Sequence, residues 1–127
     1  MSNLTRAMMM GAAGASGDKI YVDDVFSTFI YDGNSGTQSI NNGIDLSGEG
    51  GLIWIKTRND NSYHFLTDTA RGVNKHIASN SVDPEGNVTA ITAFNSNGFS
   101  LANQANVNQN YNCLLYTSDA ADDSLRV

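Results

Sequence analysis

The chain has 127 residues, 40% of them apolar, which allows one sandwich-sized core and excludes two. No apolar run approaches the ~18 residues of a membrane helix, so membrane insertion is not expected. A formal charge of -6 with no basic patch argues against a nucleic-acid surface, because nothing would release counterions from phosphates.

Asn, Ser, Thr and Gly are abundant and proline occurs once, at Pro84. These residues favour turns and solvated strand faces over helix interiors. The single Cys cannot form an internal disulfide, and no Cys/His cluster has metal-ligand spacing. Residues 1–24 open the chain with a short apolar patch broken by glycines, too short for a secretory core. Asp18 stands where a phosphate loop needs Lys. This stretch reads as an N-terminal attachment arm.

Residues 25–31 (VFSTFIY) are aromatic and β-branched and run into Asp32-Gly33-Asn34, a strand followed by a turn. Residues 37–41 (TQSIN) form a short second strand before Asn42-Gly43. The Gly48–Gly51 turn then leads into the densest apolar run, Leu52-Ile53-Trp54-Ile55, which reads as a central strand over residues 52–58. The polar turn at residues 59–61 folds it back on a strand over residues 62–67, the clearest hairpin in the chain. There Tyr63, Phe65 and Thr67 share one side and His64 and Leu66 the other. A bend at residues 68–72 precedes a weaker strand over residues 73–78, and a loop follows through residues 79–87. Residues 88–94 (VTAITAF) alternate with Val88, Ala90, Thr92 and Phe94 on one face, and Asn97-Gly98 turns the chain into residues 99–101. Residues 103–112 read as Asn/Gln-rich loop, and no window has a helical period. Short strands with turn signals every eight to twelve residues predict an all-β, antiparallel β-sandwich of the jelly-roll or concanavalin-like kind. The predicted core is Val25, Phe26, Phe29, Ile53, Trp54, Ile55, Phe65, Leu66, Ile77, Val88, Ile91, Phe94, Phe99 and Leu101.

Residues 113–123 (CLLYTSDAADD) resemble a translated sequencing adapter, since one codon choice for the run spells the transposon-end adapter of a common library kit. On that resemblance the natural frame stops near Asn112 and residues 113–127 are a non-native tail. The sandwich of residues 25–112 is then truncated at its C-terminus, with an unpaired edge and an open seam.

Five phrases carry a second likeness: YVDDVFSTF at 21–29, NNGIDLSGEGGL at 41–52, WIK at 54–56, DTARG at 68–72 and SNGFSL at 96–101. Together they resemble a domain of unknown function from structural and tail proteins of marine bacteriophages, over nearly all of residues 1–112. The resemblance implies a concanavalin-type or SPRY-like sandwich with no catalytic residues. It also implies a further aromatic strand, which this chain departs from where the adapter likeness begins.

Asp68 and Arg71 flank a tight bend, and their spacing favours mutual pairing or capping of loop amides over ligand binding. Asp60 with Asn59 and Asn61, and Asp32 with Asn34, could offer oxygens to Ca²⁺. No D-x-D-x-D spacing supports this, so Asx turns explain them better and no cofactor is expected. Trp54, Tyr63 and Tyr31 would make a sugar-stacking platform if they faced outward, but in so apolar a strand Trp54 is placed in the core. His64 and His76 lack a third metal ligand, and no Ser/His/Asp order or carboxylate pair stands out.

The expectation is a non-enzymatic virion protein, a tail, fibre or particle-surface module located in the phage particle. It would assemble with other virion proteins and with its own copies. The alternative is a carbohydrate-binding module recognising host surface glycans through Trp54, Tyr63, Asp60, Asn61, Asp68 and Arg71.

Overall fold

The computed structural model describes residues 19–110 and 112–119. The attachment arm expected over residues 1–24 therefore lies mostly outside the described residues. Its last part forms a helical turn, α1 (Val22–Val25), where Tyr21 and Asp24 cap each other: Tyr21 N–H donates to Asp24 Oδ2 at 2.9 Å and Asp24 N–H to Tyr21 O at 3.0 Å.

Among the described residues nine antiparallel strands follow: β1 (Phe26–Asp32), β2 (Gln38–Asn41), β3 (Gly51–Thr57), β4 (Phe65–Asp68), β5 (Lys75–Ala78), β6 (Gly86–Asn87), β7 (Ile91–Asn95), β8 (Gly98–Leu101) and β9 (Asn112–Asp119). A second helical turn, α2 (Ala105–Asn108), precedes β9. The strands make a six-stranded sheet in the order β1-β9-β3-β4-β5-β6 and a three-stranded sheet in the order β2-β8-β7. The all-β, sandwich-like fold read from the sequence is observed. One core fills the space between the sheets, from Ile53, Ile55, Phe65 and Leu115 on one side to Ile40, Ile91, Phe99 and Leu101 on the other.

Period-two burial sets the faces. On β3, Gly51, Ile53, Ile55 and Thr57 are buried while Leu52, Trp54 and Lys56 are half-buried on the opposite face. On β1 the inward set is Ser27, Phe29 and Tyr31; Phe26, Thr28 and Ile30 face out. The core assignments of Phe26, Trp54, Leu66 and Ile77 are thereby corrected. Phe26 is 41% exposed, and Trp54 lies on the outer face with Tyr116, because each is one residue out of phase with the buried set of its strand. Leu66 and Ile77 share that outer face, opposite each other in the β4–β5 register.

The predicted β3–β4 hairpin is present, with Ile53 opposite Thr67 and Ile55 opposite Phe65. The β7–β8 hairpin is also present. Its register shifts between Ile91 and Ala93, so Ala90 and Ile91 are both buried and Thr92 is exposed, against the even alternation expected there. Gly98 opens β8 at φ 152°, and a Cβ there would overlap the carbonyl of Ile40, so only glycine closes this turn against β2.

The largest departure from the sequence reading is β9. Asn112–Asp119 lies inside the larger sheet between β1 and β3, Tyr31 opposite Cys113 on one side and Thr57 opposite Cys113 on the other. Cys113, Leu115 and Thr117 are buried. The seam that a domain ending at Asn112 would leave open is filled, and strand pairing extends to Asp119. The stretch expected to be loop, residues 103–112, contains α2 and two fully buried residues, Val107 and Asn108.

Candidate functional site

The two sheets present different outer faces. On the smaller sheet the outer pairing is polar: Ser39 Oγ lies 3.2 Å from Ser100 Oγ, which accepts from Asn95 Nδ2 at 3.1 Å. On the larger sheet the outer face is apolar. Tyr116 stands between Thr28 and Trp54, and Trp54 stands opposite Leu66. Phe26 stacks on Tyr116 with centroids 6.2 Å apart, Tyr116 meets Trp54 at 5.8 Å, and Trp54 meets His64 at 5.9 Å. Four rings thus cross the sheet in a continuous row, with Ile30 and Leu114 paired beside it. Offset and tilted ring contacts of this kind stabilise beyond their area. Lone exposed apolar residues need no explanation, but contiguous ones mark a surface that meets something.

The residues predicted to form a binding site do not converge. Asp60, Asn61 and Tyr63 lie in the loop joining β3 to β4, whereas Asp68 ends β4 and Arg71 follows it, at the strand's other end. Asp60 is used locally, its carbonyl accepting from Lys56 Nζ at 2.9 Å and Thr57 Oγ1 at 3.2 Å and its carboxylate from Ser62 Oγ. Asn61 and Tyr63 are exposed. Only Trp54 belongs to the aromatic row. Tyr31, grouped with it in the sequence reading, points the opposite way. Its phenol is buried and donates to the Val107 carbonyl, and burial, with Cys113 alongside, pushes its pKa far up. Burial likewise raises the Cys113 thiol, which leaves it a packed side chain rather than a nucleophile.

Asp68 and Arg71 do pair. Arg71 N–H donates to Asp68 Oδ1 at 2.6 Å and Nε to Oδ2 at 2.9 Å, closing the bend. The pairing extends to a residue the sequence did not mark. Arg71 Nη1 reaches Glu85 Oε2 at 2.7 Å, and Lys75 Nζ lies 3.6 Å from Glu85 Oε1. These charges fix the β4–β5 and β5–β6 loops against each other. A shallow depression of about 340 Å³ opens beside them between Gly51, Leu52, Thr69, Ala70, Asp68 and Asp119. Both oxygens of Asp68 there are already taken by Arg71.

His64 and His76 are on opposite faces. His64 borders Trp54, whereas His76 lies against the inward-facing Phe65, the rings near parallel and 4.4 Å apart. Among the described residues no three His, Cys, Asp or Glu side chains converge as a metal site would require. Burial lowers the His76 pKa, opposed by the Gly86 backbone and Glu85. A lowered folded pKa means the unfolded chain binds the proton more readily. Stability is therefore full above about pH 6.5 and is lost as pH falls through the folded value. The melting temperature should drop modestly between pH 7.5 and 5, and His76→Phe, which keeps the stack on Phe65, should reduce that drop. An unchanged pH slope would show that His76 does not set it.

No curated protein and no solved structure matches the chain. A match to "Domain of unknown function (DUF7483)" runs over residues 22–118, from α1 through nearly all of β9. The chain belongs to the DUF7483 family.

Proposed function

We propose that this chain is a non-enzymatic sandwich module of a phage particle, acting in assembly or adhesion at the tail, fibre or particle surface. The observation that carries the assembly half is the outer face of the larger sheet, where Phe26, Tyr116 and Trp54 form a continuous ring row beside Ile30 and Leu114. Such a face suits contact with other virion proteins or further copies of the chain, and many weak contacts repeated over a particle add up without catalysis. The phage half rests on the likeness of the five sequence phrases to tail and structural proteins. Immunogold labelling with an antibody to the purified chain should decorate phage particles from the material that carries the coding sequence. Bare particles, with an antibody that binds the chain itself, would refute the reading.

The outward position of Trp54 favours a second reading, a glycan-binding module, because stacked aromatic faces suit sugar rings. Calorimetric titration with host envelope polysaccharides distinguishes the two. Binding abolished by Trp54→Ala supports the glycan module, and silence across polysaccharides supports assembly.

A further inference from the structure

Among the described residues the two sheets end on four edge strands, and three of them are blunted. β6 is only Gly86–Asn87, next to the Arg71, Glu85 and Lys75 charges. β7 carries the register shift at Ile91/Ala93, and β2 is the short strand Gln38–Asn41. Short strands, charges and irregularities are the usual guards against unwanted edge pairing. β1 has none of them over residues 26–31, and its one charge, Asp32, is its last residue. It runs from Phe26 to Asp32 without a Lys, Arg or Pro and in unbroken register, and among the described residues β9 is its one strand partner. Its outward row ends the aromatic face at the rim of the sheet, with Phe26 41% and Ile30 58% exposed.

We infer that β1 pairs antiparallel with β1 of a second copy of this chain, joining two larger sheets into one across a two-fold axis at Thr28. The inference rests on the assembly reading and gives that reading its partner. An antiparallel strand paired with itself is self-complementary, as a two-fold dimer requires. The register follows from the side chains. Phe26 and Ile30 flank Thr28 at two residues on either side, so an axis at Thr28 sets Phe26 directly opposite Ile30 of the second copy, and Ile30 opposite its Phe26. Aromatic–β-branched and Thr–Thr pairs are both favourable across a ladder. An axis at Phe29 would instead set Phe26 opposite the charge of Asp32. In the Thr28 register the ladder covers residues 26–30 and Asp32 lies beyond it. Side-chain pairs already aligned on the outer face would then continue across the dimer, from Trp54 through Tyr116 and Phe26 to Ile30 of the second copy.

The test uses the full chain. Sedimentation should show a dimer, and Thr28→Lys, which brings two like charges together on the axis, should shift it to a monomer that still melts cooperatively and whose melting temperature no longer depends on concentration. Under mild oxidation Thr28→Cys should give a disulfide-linked dimer, because opposed Cα atoms lie about 4.5–5.5 Å apart, within disulfide reach. Ile30→Cys should not, because its counterpart is displaced four residues along the ladder, about 13 Å. Cys113 is buried and does not compete. A chain that stays monomeric overturns the inference. So does a dimer indifferent to Thr28→Lys, or one cross-linked through Trp54→Cys by packing of the two outer faces. Decorated particles together with a monomeric purified chain would overturn this pairing alone and leave the assembly reading in place.

Discussion

A chain ending at Asn112 should lose cooperative folding, whereas one ending at Asp119 should keep it. β9 lies between β1 and β3 and is paired with both, from Asp32 opposite Asn112 to Phe26 opposite Ser118 on one side and from Thr57 to Gly51 on the other. Removing it strips β1 of its only described strand partner. Leu115 and Cys113, both fully buried, leave the core with it, and the buried Tyr31 loses its neighbour. Leu115→Ala alone should cost about 2–5 kcal/mol from lost burial and the cavity left behind. A domain of this size has only about 5–15 kcal/mol of net stability, so the loss of the whole strand exceeds what the remainder can absorb. The expected result is a broad, non-cooperative thermal transition by circular dichroism and collapsed amide dispersion by NMR. A sharp transition at the full-length temperature would show that β1 and β3 close on each other without β9.

The adapter likeness of residues 113–123 concerns the origin of the codons. The position between β1 and β3 concerns what the folded chain accepts. That position asks for small or apolar side chains at 113, 115 and 117 and tolerates larger ones at 114, 116 and 118. CLLYTSD meets this alternation with Cys113, Leu115 and Thr117 inward and Leu114, Tyr116 and Ser118 outward. Period-two patterning is what a central strand requires first. The run with the adapter likeness is thus the strand that joins β1 to β3.

Elsewhere, what the sequence could show depended on whether a strand's two faces differ. β3 and β4 were legible because β-branched and aromatic runs end at clear turns, and the pairing of Asp68 with Arg71 followed from their spacing. Which face of β1 or β3 turns inward was not legible, since the outer face of the larger sheet is itself apolar. Phe26 and Phe29, or Ile53 and Trp54, are equally good core candidates until register is known. Ile44 and Leu46 are fully buried from an irregular segment before β3, where no period announces them. Glu85 joins Arg71 across two loops, a contact that sequence spacing does not encode. The aromatic row could not be assembled either, because its rings come from β1, β9, β3 and the approach to β4, and only strand order brings them together.

Asn108→Leu should be the most damaging single polar substitution in the molecule. Asn108 is fully buried in α2, within a stretch whose composition reads as loop. Its Nδ2 donates to Gly36 O at 2.6 Å and Ala102 O at 3.1 Å, while its Oδ1 accepts from Asn34 N–H at 3.3 Å and from Gln38 Nε2. One side chain thereby joins the β1–β2 turn, the start of β2, the end of β8 and α2. Leucine is close in size but makes none of these bonds, leaving two carbonyls and the Asn34 N–H without this partner around a fully buried side chain, while Gln38 Nε2 keeps only its bond to Asp32 O. Each buried group so stranded costs about 1–3 kcal/mol. Partial relaxation of the turn brings the expected total to about 3–5 kcal/mol, a fall in melting temperature on the order of 10 °C or more. Asn108→Asp gives the complementary control. It keeps the acceptor but loses both donors and buries a charge, so burial should raise the new carboxyl's pKa. A raised folded pKa makes stability fall as pH rises through the carboxyl range. This variant should therefore recover part of its loss on acidification while Asn108→Leu does not. Equal and small losses for both, insensitive to pH, would mean that water reaches the site and that Asn108 does not hold these four segments together.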